Sequence, residues 1–484
     1  MFCDRTTSAS SRREFLQKAG LGFGSLAAGY LLERDAAAAT GPFAPKAPQF
    51  PAKAKNVIFL FMHGGPSHVD TFDPKPLLAK LDGKPVPPSF GKANFQFTRM
   101  ETVPLMASER VFKKRGQSGI EISDLFEHTA QFADDLAVVR SCYHDGFTHV
   151  IGQTWMNTGW GRVGRPSMGS WVVYGLGSES EELPAFMVML DGGIKSGSPA
   201  YGSGFLPAMY QGTVLRTEGS PILNVKRPAE IGSDQQRKML DLLHTYNSQY
   251  SQTRTDDSEL AARMASYELA FKMQTSVPGL ADLSRETAAT RKLYGLDDAM
   301  TAEFGTQCLM ARRMVERGVR FIQLYSGGNK GGAVGWDAHG QCNQNHTLMA
   351  GKVDRPIAGL LADLKSRGLL EQTLVVWGGD FGRTPFTNGG SGGAPASARG
   401  RDHNPYGFSV WMAGGGIKGG KIIGSTDEIG LHAAEDKVHV HDLHATILTL
   451  LGLDHQKLTY LFQGRDFRLT DVGGQNNLAA RLSI

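Results

Sequence analysis

Seven short, largely apolar runs constrain this chain more than any other feature. Asn56–Met62 (NVIFLFM) is the first, and similar runs recur at Leu136–Arg140, Phe186–Leu190, Val319–Tyr325, Thr373–Trp377, Phe408–Met412 and Lys421–Ile423. A strand wetted on one face alternates apolar and polar residues, whereas a run without alternation must be covered on both faces. That is the situation of a parallel sheet clothed by helices. Helical patterns lie between several runs. Ile357–Leu364 precedes the Thr373 run, with Pro356 expected in the first helical turn, where its missing N–H costs little. Strand–helix alternation over 484 residues predicts an α/β fold, a three-layer α/β/α sandwich on a mostly parallel central sheet. The stretch 233–296 is polar and low in Gly, and is expected as a helical insertion on one side of the sheet. Ser391–Arg399 reads as a flexible loop.

Composition narrows the function classes. Hydrophobic residues at 41% and charged residues at 20% exclude a disordered tail or a coiled coil. Lys+Arg 51 against Asp+Glu 47 is too balanced for a nucleic-acid binder. No apolar run reaches the roughly 18 residues of a transmembrane segment. The first forty residues read as an address. Arg12-Arg13 precedes Phe15-Leu16, an apolar stretch from Ala19 to Leu32 and small residues Ala36–Ala39, the order of a twin-arginine signal peptide over 1–40. Export by the twin-arginine machinery to a periplasmic or extracytoplasmic location follows as an expectation, with 41–484 forming a single domain. Cys3, Cys142, Cys308 and Cys342 show no regular spacing, so no disulfide is expected.

Polar residues gather where the strands end, which is where an open parallel sheet binds its ligands. His63 follows the first run (MHGGPSHVD), Asp337 and His339 (GWDAH) follow the 319–325 run, and Asp380 (GGDFGRTP) follows the 373–377 run. His403 (GRDHNPYGF) precedes the 408–412 run, and His149 (HDGFTH) comes shortly after the 136–140 run. Six imidazoles and carboxylates on one rim suit a divalent metal, zinc foremost, with manganese, iron or calcium as alternatives and one or two ions. Asp442 reads as the N-cap of the helix in LHATILTLLGL, with His439, His441 and His444 flanking the site. GGGIKG at Gly414–Gly419 reads as a turn, because a strand follows it.

The segments HGGPSHVDTFDPKP, SGFLPAMYQGT, GGDFGRTP, GRDHNPYGFSVWMAGGGIKGG and HVHDLHATILTLLGL, behind the twin-arginine leader, resemble the family called domain of unknown function 1501. That family is similar to sulfatases and alkaline phosphatases. The resemblance implies an alkaline-phosphatase-like sandwich and an exported metal-dependent hydrolase of phosphate or sulfate esters, acting on a small-molecule or polysaccharide substrate. Residue by residue, it puts His63 where a metal-binding Asp is usual and His149 where the nucleophile is usual, and it replaces an expected His with Phe381. One coherent assignment has His63, His149 and Asp380 holding one metal and Asp337, His339 and His403 another, with activated water as the attacking group. Arg383 or Arg401 would bind the anionic oxygens. Two other readings stay open. One is a non-catalytic binding or assembly protein, with Trp155–Trp160 as a glycan platform, and the other is group transfer of the phosphomutase kind.

Overall fold

The computed structural model describes residues 43–483 apart from 92, 96–97, 217–220, 223–224, 253–257, 328–334 and 389–397. The leader expected at 1–40 and most of Ser391–Arg399 therefore lie outside the described residues.

All seven apolar runs become strands of one nine-stranded sheet. In chain order the strands are β1 (Asn56–Met62), β2 (Leu136–Tyr143), β3 (Phe186–Leu190), β4 (Thr213–Val214), β5 (Phe321–Ser326), β6 (Thr373–Gly379), β7 (Phe408–Ala413), β8 (Lys421–Ile423) and β9 (Val438–His439). Their spatial order is β8–β2–β7–β6–β1–β5–β3–β4, with β9 also beside β2. Strand β1 is central and parallel to both neighbours, Val57 facing Phe321 of β5 and Leu374 of β6. Only β7 runs against its partners, β2 and β6. The sheet is mostly parallel, as the unalternating runs require.

Every residue of β1 is buried, and its side chains divide by parity. Ile58, Leu60 and Met62 pack with Leu309 and Met314 of one helix (Ala302–Val315) and Val353, Ile357 and Leu360 of another (Cys342–Ser366). Val57, Phe59 and Phe61 face the other way, onto Trp171 and Val172 of helix Met168–Leu176 and Leu443 and Ile447 of helix Val440–Leu450. Helices thus cover both faces and make three layers. Each large apolar side chain so enclosed contributes about 1.5–3 kcal/mol. Helices Ser233–Gln252, Ser258–Ala281 and Ala288–Leu293 occupy the segment that lacks apolar runs. Among the described residues no helix is long and apolar enough to cross a membrane.

Two local expectations need correction. Pro356 lies inside the 25-residue helix Cys342–Ser366 rather than in a first turn. The apolar stripe continues upstream of it through Met349, Ala350 and Val353, all buried, and that packing carries the helix across a residue that lacks its N–H. Helix Val440–Leu450 is capped by His439, not by Asp442. The His439 ring accepts from the His441 N–H, while Asp442 accepts from the His439 N–H at 2.9 Å, a capping box with an imidazole in the usual hydroxyl's place. The glycines Gly414–Gly416 all have positive φ and form the turn into β8.

Candidate metal centre

Strands β1, β2, β3, β5 and β6 share one direction, so the segments leaving their carboxyl ends meet at one rim. β1 delivers His63, and β6 delivers Asp380. Asp337 and His339 follow β5 in the chain, and β2 leads to His149, the first residue of helix His149–Thr158. His403 arrives on a two-stranded ribbon, Gly382–Thr387 against Arg401–Asn404. Gly64 makes the meeting possible. Its φ is +111°, and a Cβ there would lie 2.5 Å from the Asp337 nitrogen, so only glycine lets the two loops touch.

Asp337 is the focus. Its Oδ1 lies 2.8 Å from Arg383 Nη2, 3.1 Å from His339 Nε2 and 3.2 Å from His403 Nε2. Its Oδ2 lies 3.1 Å from His149 Nε2 and 3.2 Å from Lys195 Nζ. The Nε2 atoms of His339 and His403 are 3.0 Å apart. Hence four of the six expected ligands converge: His149, Asp337, His339 and His403. Ligand atoms of His149, Asp337 and His403 form one group within 4.8 Å, and those of His339, Asp402 and His403 form a second.

Asp380 and His63 take other places. Asp380 stands behind His149, its Oδ2 accepting from His149 Nδ1 at 2.6 Å and from Gln153 Nε2 at 3.0 Å, its Oδ1 from the Gly64 N–H at 3.3 Å. It orients a candidate ligand instead of joining the convergent atoms. The His63 ring lies 6.2 Å from that of His149, and both its nitrogens are buried without a hydrogen-bond partner. The convergent groups thus join His149 to Asp337 and His403 rather than to Asp380, with His63 beside them among the same charged neighbours.

The two arginines are engaged inside the protein. Arg383, fully buried, donates to the carbonyls of Gly64, Gly65 (2.9 Å), Trp336 (3.3 Å) and Arg401 (3.3 Å) besides Asp337. Arg401, also fully buried, pairs with Asp70 at 2.8 Å and donates to the carbonyls of Met106, Thr384 and Ala107. The expected task of binding ester oxygens does not fit side chains whose N–H groups already bind the loops of the site. Phe381 fills a cleft instead of presenting a polar group. Its ring is 4.4 Å from that of His403 and 5.1 Å from that of His149.

Tautomers follow from these partners. His403 Nδ1 lies 2.8 Å from the Phe147 carbonyl and His149 Nδ1 lies against a carboxylate, so both Nδ1 atoms carry the proton and both Nε2 atoms, when neutral, carry lone pairs. His403 Nε2 can then accept from His339 Nε2 at 3.0 Å, whereas the His149 Nε2 lone pair faces Asp337 Oδ2 at 3.1 Å, which is repulsive without a proton or a cation between them. Protonation of His149 is one remedy. Burial opposes its charged form, but the hydrogen bonds to Asp337 and Asp380 outweigh burial and raise its pKa. Burial, with Arg383 nearby, brings His403 down to about 3, and burial lowers His63. Asp337 is held far below the carboxylate range. Burial works against this, and Arg383 with the three imidazoles overcomes it. A divalent cation is the other remedy, and the nitrogen-rich donors suit zinc, manganese or iron better than calcium, which takes oxygen ligands.

Besides Asp402 of the second group, three contributors escaped the sequence reading. Gln153 stands four residues after His149 on the same helix face, a spacing that could have revealed it. His144 Nε2 donates to the Asp380 carbonyl at 2.6 Å. Lys195, beyond β3, had no motif to mark it.

A sequence model of the family described as protein of unknown function (DUF1501) matches residues 54–481. No curated protein matches the sequence. Among solved structures, the chain is similar to the PsFucS1 sulfatase from Pseudoalteromonas sp. (13% identity, 89% of this chain and 71% of that one, TM-score 0.34). It is also similar to the alkaline phosphatase from the Antarctic bacterium TAB5 (12% identity, 83% and 99% covered, TM-score 0.34). A third is a protein in the alkaline phosphatase superfamily from Vibrio parahaemolyticus (11% identity, 87% and 74% covered, TM-score 0.32).

Proposed function

The chain belongs to the DUF1501 family, and from that premise we propose that it is an exported, divalent-metal-dependent hydrolase of phosphate or sulfate esters. One observation carries the reading. The Nε2 atoms of His149, His339 and His403 converge on a single carboxylate, Asp337, at 3.1, 3.1 and 3.2 Å, a donor set that suits a cation. His149, His403, His339 and Asp337 would hold it, with zinc the best match to the donors. A divalent ion there supplies Lewis-acid polarisation of the ester oxygens.

The protein's own groups do the rest. Asp380 and the Phe147 carbonyl hold the imidazoles in the tautomer that presents Nε2. Arg383 fastens Asp337 to the Gly64–Gly65 turn, and Phe381 excludes water from one side of the rings. His149 opens its helix, where a side-chain nucleophile would benefit from the positive helix end, yet its ring is bound by two carboxylates. Water is therefore the nucleophile. Its oxygen bonds to phosphorus or sulfur as the bond to the ester oxygen breaks. One of its protons ends on that oxygen, which leaves as the alcohol, and the other stays with the phosphate or sulfate or passes to solvent.

The test is the metal content of purified protein together with turnover of aryl phosphates and aryl sulfates before and after chelation. Activity lost on chelation, restored by zinc or manganese and absent in Asp337→Asn is expected. A protein that binds no metal and turns over no ester after reconstitution would sink the reading. The second reading, a binding or assembly protein, draws on Phe381, whose phenyl ring takes room beside the imidazoles that a reactive group would use. Saturable glycan binding without turnover would favour it.

A further inference from the structure

We propose that Lys195 binds the anionic oxygens of the ester and so restricts the substrate to esters that keep a negative charge. This rests on the hydrolase reading and deepens it. Among the described residues, one lysine and one arginine touch Asp337. Arg383 is sealed, with its N–H groups on backbone carbonyls and Asp337. Lys195 approaches from the solvent side, its side chain 34% exposed and its Nζ 3.2 Å from Asp337 Oδ2. That oxygen is also the one facing His149 Nε2 at 3.1 Å, so the ammonium stands at the edge of the position a cation would take.

A divalent ion and an ammonium sharing one carboxylate repel each other. An anionic oxygen between them relieves that repulsion, and this is where a phosphate or sulfate ester has oxygens to offer. A neutral ester has none. Lysine suits the task because its compact charge and three rotatable donors adapt to a tetrahedral anion.

The lysine is also held in place. The next residue, Ser196, donates its N–H to Gln153 Oε1 at 2.8 Å, while Gln153 Nε2 donates to Asp380 Oδ2 at 3.0 Å. Gln153 is fully buried. A single amide thus ties the Lys195 loop to the carboxylate that orients His149. An ordinary surface lysine has no such tether, and its ion pair contributes little.

The experiment uses the zinc-loaded full chain. Binding of inorganic phosphate and of inorganic sulfate is measured by calorimetry for the wild type, Lys195→Ala, Lys195→Arg and the remote control Lys457→Ala, whose side chain is 77% exposed. Steady-state kinetics on an aryl phosphate and an aryl sulfate and zinc content per chain accompany each. Loss of a charge-assisted contact is expected to weaken anion binding and raise KM about tenfold or more in Lys195→Ala. The effect on kcat should be smaller, zinc content unchanged, most affinity recovered in Lys195→Arg, and Lys457→Ala like the wild type. Lys195→Ala binding either anion within about twofold of the wild type would overturn the assignment while leaving the hydrolase reading intact. A wild type that loads zinc yet binds neither anion and hydrolyses neither ester overturns both.

Discussion

Asp380 holds the His149 ring at 2.6 Å, so its removal should appear first in cation affinity. Asp380→Asn keeps the shape but weakens the acceptor for His149 Nδ1, and the ring loses its fixed tautomer. Zinc affinity measured by calorimetry is expected to fall about 10–100-fold. An unchanged affinity would show that Asp380 does not orient the ring. Arg401 belongs to stability. Its buried pair with Asp70 overcomes the cost of burial and brings the Asp70 carboxyl to about 2 from 3.8. The depressed pKa means this contribution, ~2 kcal/mol, is complete above pH 3.8 and is lost as pH falls toward 2. Arg401→Ala leaves a buried carboxylate without its ion-pair partner, with only hydrogen bonds such as that from Ser67 Oγ, and should cost about 3–5 kcal/mol in urea unfolding at neutral pH. A loss below about 1 kcal/mol would mean that water reaches the site. At this scale the positions were readable and the roles were not. The sequence places His and Asp after apolar runs, but whether a carboxylate faces a cation or the back of an imidazole depends on chain segments more than two hundred residues away, as for His149 and Asp380.

The helix His149–Thr158 approaches the Asp380–Phe381 segment through Gly152. A Cβ there would lie 2.8 Å from Phe381 Cδ1 and 3.0 Å from the Asp380 carbonyl. Gly152→Ala therefore forces the helix or the ring to shift, with an expected loss of about 1–3 kcal/mol. Because Phe381 lies against His149 and His403, zinc affinity should weaken as well. Thermal unfolding and calorimetry on the same variant check both, and a variant as stable and as tight-binding as the wild type would refute the close approach. Element type was legible wherever the run was long, as in β1 and β6. Element ends were less so. The helix Cys342–Ser366 runs through Pro356 because tertiary burial outweighs the local penalty, and His439 caps Val440–Leu450 through a ring nitrogen that residue preference does not anticipate.

For the whole molecule, cation binding and folding are linked, because the four convergent residues come from distant parts of the chain and meet only in the native state. Zinc at about 100 times its Kd should add ~2.7 kcal/mol to the unfolding free energy, seen as a higher Tm that a chelator reverses. The raised pKa of His149 sets the sign with pH. Its proton must leave before the cation enters, so the stabilisation is greatest at high pH and fades as pH falls through that pKa. A Tm indifferent to zinc at pH 8 would contradict the centre. The sequence by itself determined the architecture, because strands without a polar face need helices on both sides and a parallel sheet gathers its strand ends at one rim. It also determined which residue types stand on that rim. Tertiary structure alone decided that four residues converge while Asp380 backs His149, that Arg383 and Arg401 are sealed inside, and that Lys195 faces the centre. These outcomes depend on angstrom-scale approaches between loops, and a linear pattern carries no information about which way a side chain turns when two distant loops meet.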